Sequence, residues 1–118
     1  MDIDIMEDAY NFILCQDLKT RQEIKNSIQL LKEYGCLIRM PYSKYLDDGI
    51  YELRVNGNNI IVRLLYFFLP DNKAVITNGF IKKMQKTPRK EILLAKERRL
   101  LYGRIKNKNI WRTKRGSS

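Results

Sequence analysis

Ile24, Ile28 and Leu31 recur at i, i+4 and i+7, while Lys25, Gln29 and Lys32 fall on the other side of the same stretch. That period predicts an amphipathic helix from about Leu18 to Tyr34. Asp17 stands where a side chain can cap the first turn, and Gly35 where a positive φ ends many helices. Glu7 to Cys15 reads as a shorter helix. Before it, Ile3 and Ile5 alternate with Asp2 and Asp4, the pattern of a very short edge strand. Leu37 to Gly49 reads as a loop, broken by Pro41 and by Asp47-Asp48-Gly49.

The period then shortens. Tyr51, Leu53 and Val55 alternate with Glu52 and Arg54, as in a half-buried strand. Asn56-Gly57-Asn58-Asn59 is a hairpin signal, because Asn and Gly tolerate positive φ. Ile60 to Leu69 is apolar on both faces, as a central strand is, and Tyr66 and Phe67 belong to its core. Asp71-Asn72 marks a second tight turn ahead of a strand from Lys73 to Lys82. A last helix is expected from Thr87 as N-cap, with Pro88 at its first position, to about Tyr102 ahead of Gly103. Ile92, Ala95, Arg99 and Tyr102 share its stripe, flanked by Leu93 and Leu94. The predicted fold class is α+β, with two N-terminal helices, an antiparallel meander of three to four strands and a C-terminal helix. It forms one domain over residues 1–103, followed by a basic tail over 104–118.

Charge changes the picture. Residues 1–78 carry nine Lys/Arg against eleven Asp/Glu, a net of −2, and residues 79–118 carry fourteen against two, a net of +12. A surface that gathers cations at one end suits a polyanion. Nucleic acid is the leading partner, then an acidic protein, then an anionic membrane. Two cysteines, Cys15 and Cys36, are too few for a disulfide framework and are expected as buried thiols. With no His in the chain, a zinc site is not expected, and no cofactor motif is present. The acidic start Met1-Asp2-Ile3-Asp4 does not read as a signal peptide, and the ten-residue apolar run Ile60 to Leu69 contains Arg63 and is too short to span a bilayer. A cytoplasmic protein is expected.

Several words stand in a fixed order: Leu30-Leu31-Lys32-Glu33-Tyr34-Gly35; Pro41-Tyr42-Ser43-Lys44-Tyr45-Leu46; Asp48-Gly49-Ile50-Tyr51-Glu52-Leu53-Arg54; Val62-Arg63-Leu64-Leu65-Tyr66-Phe67; and Gly79-Phe80-Ile81-Lys82-Lys83-Met84-Gln85-Lys86-Thr87-Pro88, followed by Glu91-Ile92 and Ala95. With the order of elements, these words resemble the RelE/HigB-like toxins of type II toxin–antitoxin systems, and look closest to the phage-derived branch of the RelE/ParE superfamily. The resemblance spans about residues 24–102. It implies an α+β toxin that enters the ribosomal decoding site, cuts mRNA there as a ribosome-dependent endoribonuclease, and so inhibits translation. It also implies a cognate helix-turn-helix antitoxin as partner. That family opens with a full β-strand, whereas only about five residues precede the first helix here.

Metal-independent RNA cleavage needs an acceptor for the 2′-OH proton, cations for the pentacoordinate phosphate and an acid for the leaving 5′-oxygen. Without His, these roles fall to Lys, Arg, Tyr or a carboxylate. Lys82, Lys83 and Lys86 are candidates, because clustered cations lower one another's pKa. Arg63 interrupts the apolar row Ile61, Leu65 and Phe67, so it either grips the scissile phosphate or pairs with Glu52 on the adjacent strand. Arg63, Lys82, Lys83 and Lys86 are therefore the candidate catalytic set. Lys44, Tyr45, Arg54, Gln85 and Arg89 are candidate RNA contacts, Tyr45 as a stacking ring. The tail cations Arg104, Lys106, Lys108, Arg112, Lys114 and Arg115 either hold ribosomal RNA or are solvated. A non-catalytic ParE-like topoisomerase inhibitor on the same fold, and a phage remnant that only binds an antitoxin or nucleic acid, are the competing functions.

Overall fold

The computed structural model describes residues 1–117, with side chains described to residue 105. Among the described residues, five strands and three α-helices follow in the order β1 (Asp2–Ile5), α1 (Glu7–Leu14), α2 (Leu18–Tyr34), β2 (Ser43–Asp47), β3 (Ile50–Asn56), β4 (Ile61–Leu69), β5 (Lys73–Ile81) and α3 (Arg89–Ser117), with a 3₁₀ turn at Gly35–Leu37. The strands form one sheet in the order β1-β5-β4-β3-β2. From β2 to β5 it is the expected antiparallel meander. β1 is the short edge strand anticipated from Ile3 and Ile5, and it runs parallel to β5, with Ile3 opposite Ala74.

Two expectations are corrected on the way to this sheet. Ser43–Asp47 is a strand rather than loop, paired antiparallel with β3 through Lys44–Glu52 and Tyr45–Tyr51. Its polar composition hid it, because an edge strand is held by its ladder to one neighbour more than by burial. Asp48 and Gly49, read as breakers, are the two positive-φ residues of the β2–β3 hairpin, at 50° and 78°. At the other end, α3 does not stop before Gly103 but continues to Ser117. A Cβ at Gly103 would meet no atom within 4 Å, so this glycine serves no close packing and simply tolerates an exposed helix interior. The side chains of Lys106, Lys108, Trp111, Arg112, Lys114 and Arg115 lie outside the described residues.

Local chemistry sets the helix ends. The Asp17 carboxylate accepts the Thr20 N–H at 3.2 Å and the Thr20 hydroxyl, and this second bond chiefly lowers its pKa below the usual carboxylate value. Gly35 takes the expected positive φ of 55°, with ψ of −131° leading into the 3₁₀ turn. Thr87, expected as the N-cap of α3, instead gives its hydroxyl proton to Glu52, and the Pro88 carbonyl accepts from Glu91 and Ile92 at the helix start. Cys15 and Cys36 are exposed rather than buried. Each sits just past the end of a helix, where the chain leaves the apolar stripe.

The two faces of the sheet are covered differently. α1 and α2 lie on one, where Ala9, Ile24 and Leu31 pack with Leu53, Val55, Val62, Leu64, Tyr66 and Ile76. Tyr66 is fully buried and bonds Ser43 through its hydroxyl, with its pKa pushed up to about 12 by burial. α3 covers part of the other face, where Ala95 packs with Ile50, Leu65, Phe67, Val75 and Phe80. β4 therefore contributes to both cores, as its doubly apolar pattern requires. Gly79 sits where α1 comes closest to β5: a Cβ there would lie 2.6 Å from Phe12 Cδ2 and 2.8 Å from Leu64 Cδ2. Gly79→Ala is expected to destabilise the fold by about 1–3 kcal/mol through overpacking. Urea unfolding measures this, and an unchanged midpoint would show that α1 yields freely.

Candidate functional site

Beyond the start of α3, the second face of the sheet is not apolar. Strand alternation and register bring its polar residues into one row. Lys44 is opposite Glu52, Arg54 is opposite Arg63, and Arg63 is opposite Phe80. Lys82 follows Phe80 by two residues and so projects to the same face; its N–H donates to Ile61 O at 2.7 Å, which extends the ladder past the end of β5. Lys44, Arg54 and Arg63 from three adjacent strands and Lys82 just past β5 thus share one face with the carboxylates of Glu52 and Asp47.

The chain from Lys82 to Pro88 then crosses over this row. Two adjoining grooves result. The larger, about 860 Å³, is lined by Lys44, Tyr45, Arg54, Lys82, Gln85, Lys86 and Arg89, together with Asp47, Glu52 and Thr87. The smaller, about 500 Å³, is lined by Arg54, Arg63, Lys82, Lys83 and Gln85. Arg54, Lys82, Met84 and Gln85 belong to both. The nine residues singled out from the sequence thus line one continuous basic concavity.

They do not stand equivalently within it. Arg63 is 5% exposed. Its Nη1 donates to Val62 O at 3.1 Å, its Nε is buried with no hydrogen-bond partner, and the nearest carboxylate oxygen, Glu52 Oε2, is 3.8 Å from Nε. Burial first, and then Arg54, lower its pKa, while Glu52 opposes them. Arg54 has its Nε 3.9 Å from the same Oε2. Arg89 is held by Asp47 at 3.0 Å, and Asp47 also takes Lys96 at 2.7 Å. The Tyr45 side chain leaves the strand on the side opposite Lys44, with its ring edge-on to Tyr51 at 5.1 Å. Lys83, Gln85 and Lys86 are exposed on the crossing segment.

Lys82 is the perturbed amine of the group. Partial burial is the main cause that lowers its pKa, followed by Arg63, with Arg54 and Lys44 adding and Glu52 opposing. The perturbing cations come from across the sheet, where the sequence had suggested Lys83 and Lys86. Glu52, 2% exposed and tied to Thr87, Arg54 and Arg63, is the residue that sequence reasoning undervalued. It was weighed only as a partner for Arg63. Its spacing of two from Arg54 on one strand, which places acid and base on one face, was the available signal.

The profile of the family described as "Phage derived protein Gp49-like (DUF891)" matches residues 11–100. The chain belongs to this Gp49-like family. The family lies within the RelE/ParE-like toxin superfamily. The match begins in α1, spans β2 to β5 and the crossing segment, and ends within α3, so it includes every residue of the basic concavity. No curated protein matches the chain at a significant level. Among the described residues of this Gp49-like chain, no helix is long and apolar enough to cross a membrane.

Because its charged form is disfavoured, Lys82 is expected to lose its proton at lower pH than an ordinary lysine. Its acylation rate should rise at a correspondingly lower pH. Arg54→Gln removes one lowering cation and should move that rise back toward higher pH. A profile for Lys82 that coincides with that of exposed lysines would show that burial and the neighbouring guanidinium groups do not act on it.

Proposed function

We propose that this chain is the toxin of a toxin–antitoxin pair and acts as a metal-independent endoribonuclease on mRNA at the ribosome. The observation that carries this reading is the buried Arg63 guanidinium, which lines the basic concavity beside Arg54 and Lys82 with one carboxylate, Glu52, in ion-pair range. A phosphate offers the acceptor oxygens and the charge that Arg63, Arg54 and Lys82 together lack. The groove's two lobes meet at Arg54 and Lys82, which gives a single strand of RNA room on either side of one phosphate.

In this reading Lys82, biased toward its neutral form, takes the proton of the 2′-hydroxyl. The 2′-oxygen attacks the adjacent phosphorus, and Arg63 and Arg54 hold the two charged oxygens of the pentacoordinate state. The bond from phosphorus to the 5′-oxygen breaks, and an ammonium from the crossing segment, Lys86, returns a proton to the leaving oxygen. The products are a 2′,3′-cyclic phosphate and a 5′-hydroxyl. Lys44, Gln85 and Lys83 contact flanking phosphates or bases, and the ribosome presents the message. The cognate partner is a helix-turn-helix antitoxin, and the working compartment is the cytoplasm. Membership of the RelE/ParE-like toxin superfamily supports the toxin role, and the cation row supports RNA over a topoisomerase target.

Conditional expression with mapping of transcript ends tests the proposal. Growth arrest with new 5′ ends inside translated messages is the expected result. A DNA-damage response with intact messages would instead favour the topoisomerase inhibitor. Arg63→Lys keeps the charge but loses the fork of donors, and is expected to reduce cleavage by roughly 10²–10³-fold with the fold retained.

A further inference from the structure

Glu52 is an acid in the middle of a basic groove, and its geometry is unusual. It is 2% exposed. One oxygen, Oε1, accepts the Thr87 hydroxyl, and the other faces Arg63 Nε at 3.8 Å and Arg54 Nε at 3.9 Å. Those two distances are too long for hydrogen bonds yet close enough for strong Coulombic attraction in a partly desolvated site. The carboxylate therefore keeps two guanidinium groups side by side, on directly opposed residues of β3 and β4, without using up their donors. Like charges opposite one another on neighbouring strands repel, and Glu52 offsets that repulsion. Its remaining bond, to Thr87, ties the crossing segment to the sheet.

We propose that Glu52 is a positioning residue that aligns Arg54 and Arg63 toward one phosphate and, through Thr87, fastens the segment carrying Lys82 to Lys86 over them. This inference deepens the ribonuclease reading and rests on it for the identity of the ligand. A second consequence concerns release. The carboxylate weakens the site's hold on an anion, so a cleaved product leaves a groove that would otherwise retain it.

The test uses inorganic phosphate, and separately an uncleavable 2′-O-methyl single-stranded RNA, titrated into the full chain. Glu52→Gln preserves shape and an acceptor for Thr87 but removes the charge. It is expected to bind phosphate about tenfold more tightly. The charged groups acting on Lys82 are Arg63, Arg54, Lys44 and Glu52, all from the sheet, so losing the Glu52 charge should also move the Lys82 reactivity profile to lower pH. A purely structural role would move neither quantity, and an unchanged phosphate affinity with an unmoved profile overturns the proposal. Should the Gln variant not fold, Thr87→Val cuts the tie and leaves both charges. It is expected to speed amide exchange over residues 82–88 and weaken phosphate binding, and no change in either overturns the proposal equally. If phosphate binding responds as expected while the RNA does not bind, the positioning role stands and the ribonuclease reading falls. A wild-type chain that binds neither ligand ends both.

Discussion

A guanidinium in the interior of a sheet has few ways to be tolerated, and Arg63 is the point on which the arrangement of this molecule turns. It sits on β4, the strand that feeds both cores, with Val62 and Leu64 on either side of it completely buried. Stripping water from such a group is expensive unless charge and donors are answered nearby. The answer here is incomplete by design of the geometry: a neighbouring carbonyl, a carboxylate at Coulombic range, and an open groove. Each neighbouring element contributes to that environment. β3 supplies Glu52 and Arg54, β5 ends on Lys82, and the crossing segment brings Thr87.

The sheet can hold this polar cluster because its two faces are covered to different extents. Two helices close the first face along β3, β4 and β5. On the second, α3 seals only the region of Ile50, Leu65, Phe67, Val75 and Phe80. The ion pairs from Arg89 and Lys96 to Asp47 and from Arg99 to Asp48 fix the helix against the β2–β3 hairpin. They are exposed or half-buried pairs, individually weak, and act mainly to set the position of α3. With α3 held there, the row from Lys44 to Lys82 is left to the crossing segment, and the basic concavity forms where the helix does not reach.

Much of this was legible in the chain. The stripe Ile24, Ile28 and Leu31 gave α2, and the doubly apolar run around Tyr66 gave the central strand, because burial leaves a period in the sequence. The alternation of Glu52 and Arg54 with Tyr51 and Leu53 placed both charges on one face. What stayed hidden follows from pairing rather than burial. β2 has a polar surface, so nothing but its ladder to β3 marks it as a strand. Thr87 had every local property of a helix cap, and a partner 35 residues away claimed its hydroxyl instead. The lysine that becomes perturbed was visible as one of a cluster, but the groups that perturb it lie on other strands, at separations that a local reading does not reach.

The parallel pairing of β1 with β5 has a consequence for how the chain is made. Residues 2–5 are synthesised well before their ladder partners, residues 73–76. The first strand must wait, unpaired, while the residues between it and β5 are added, since long-range parallel contacts form only after their distant half exists. The groove waits longer still, because it needs Lys82 and the segment that leads into α3. A nascent or prematurely terminated chain ending before β5 therefore carries neither a closed sheet nor a complete anion site. If the concavity is harmful to the cell that builds it, the order of strands delays that harm until the chain has been made through the crossing segment.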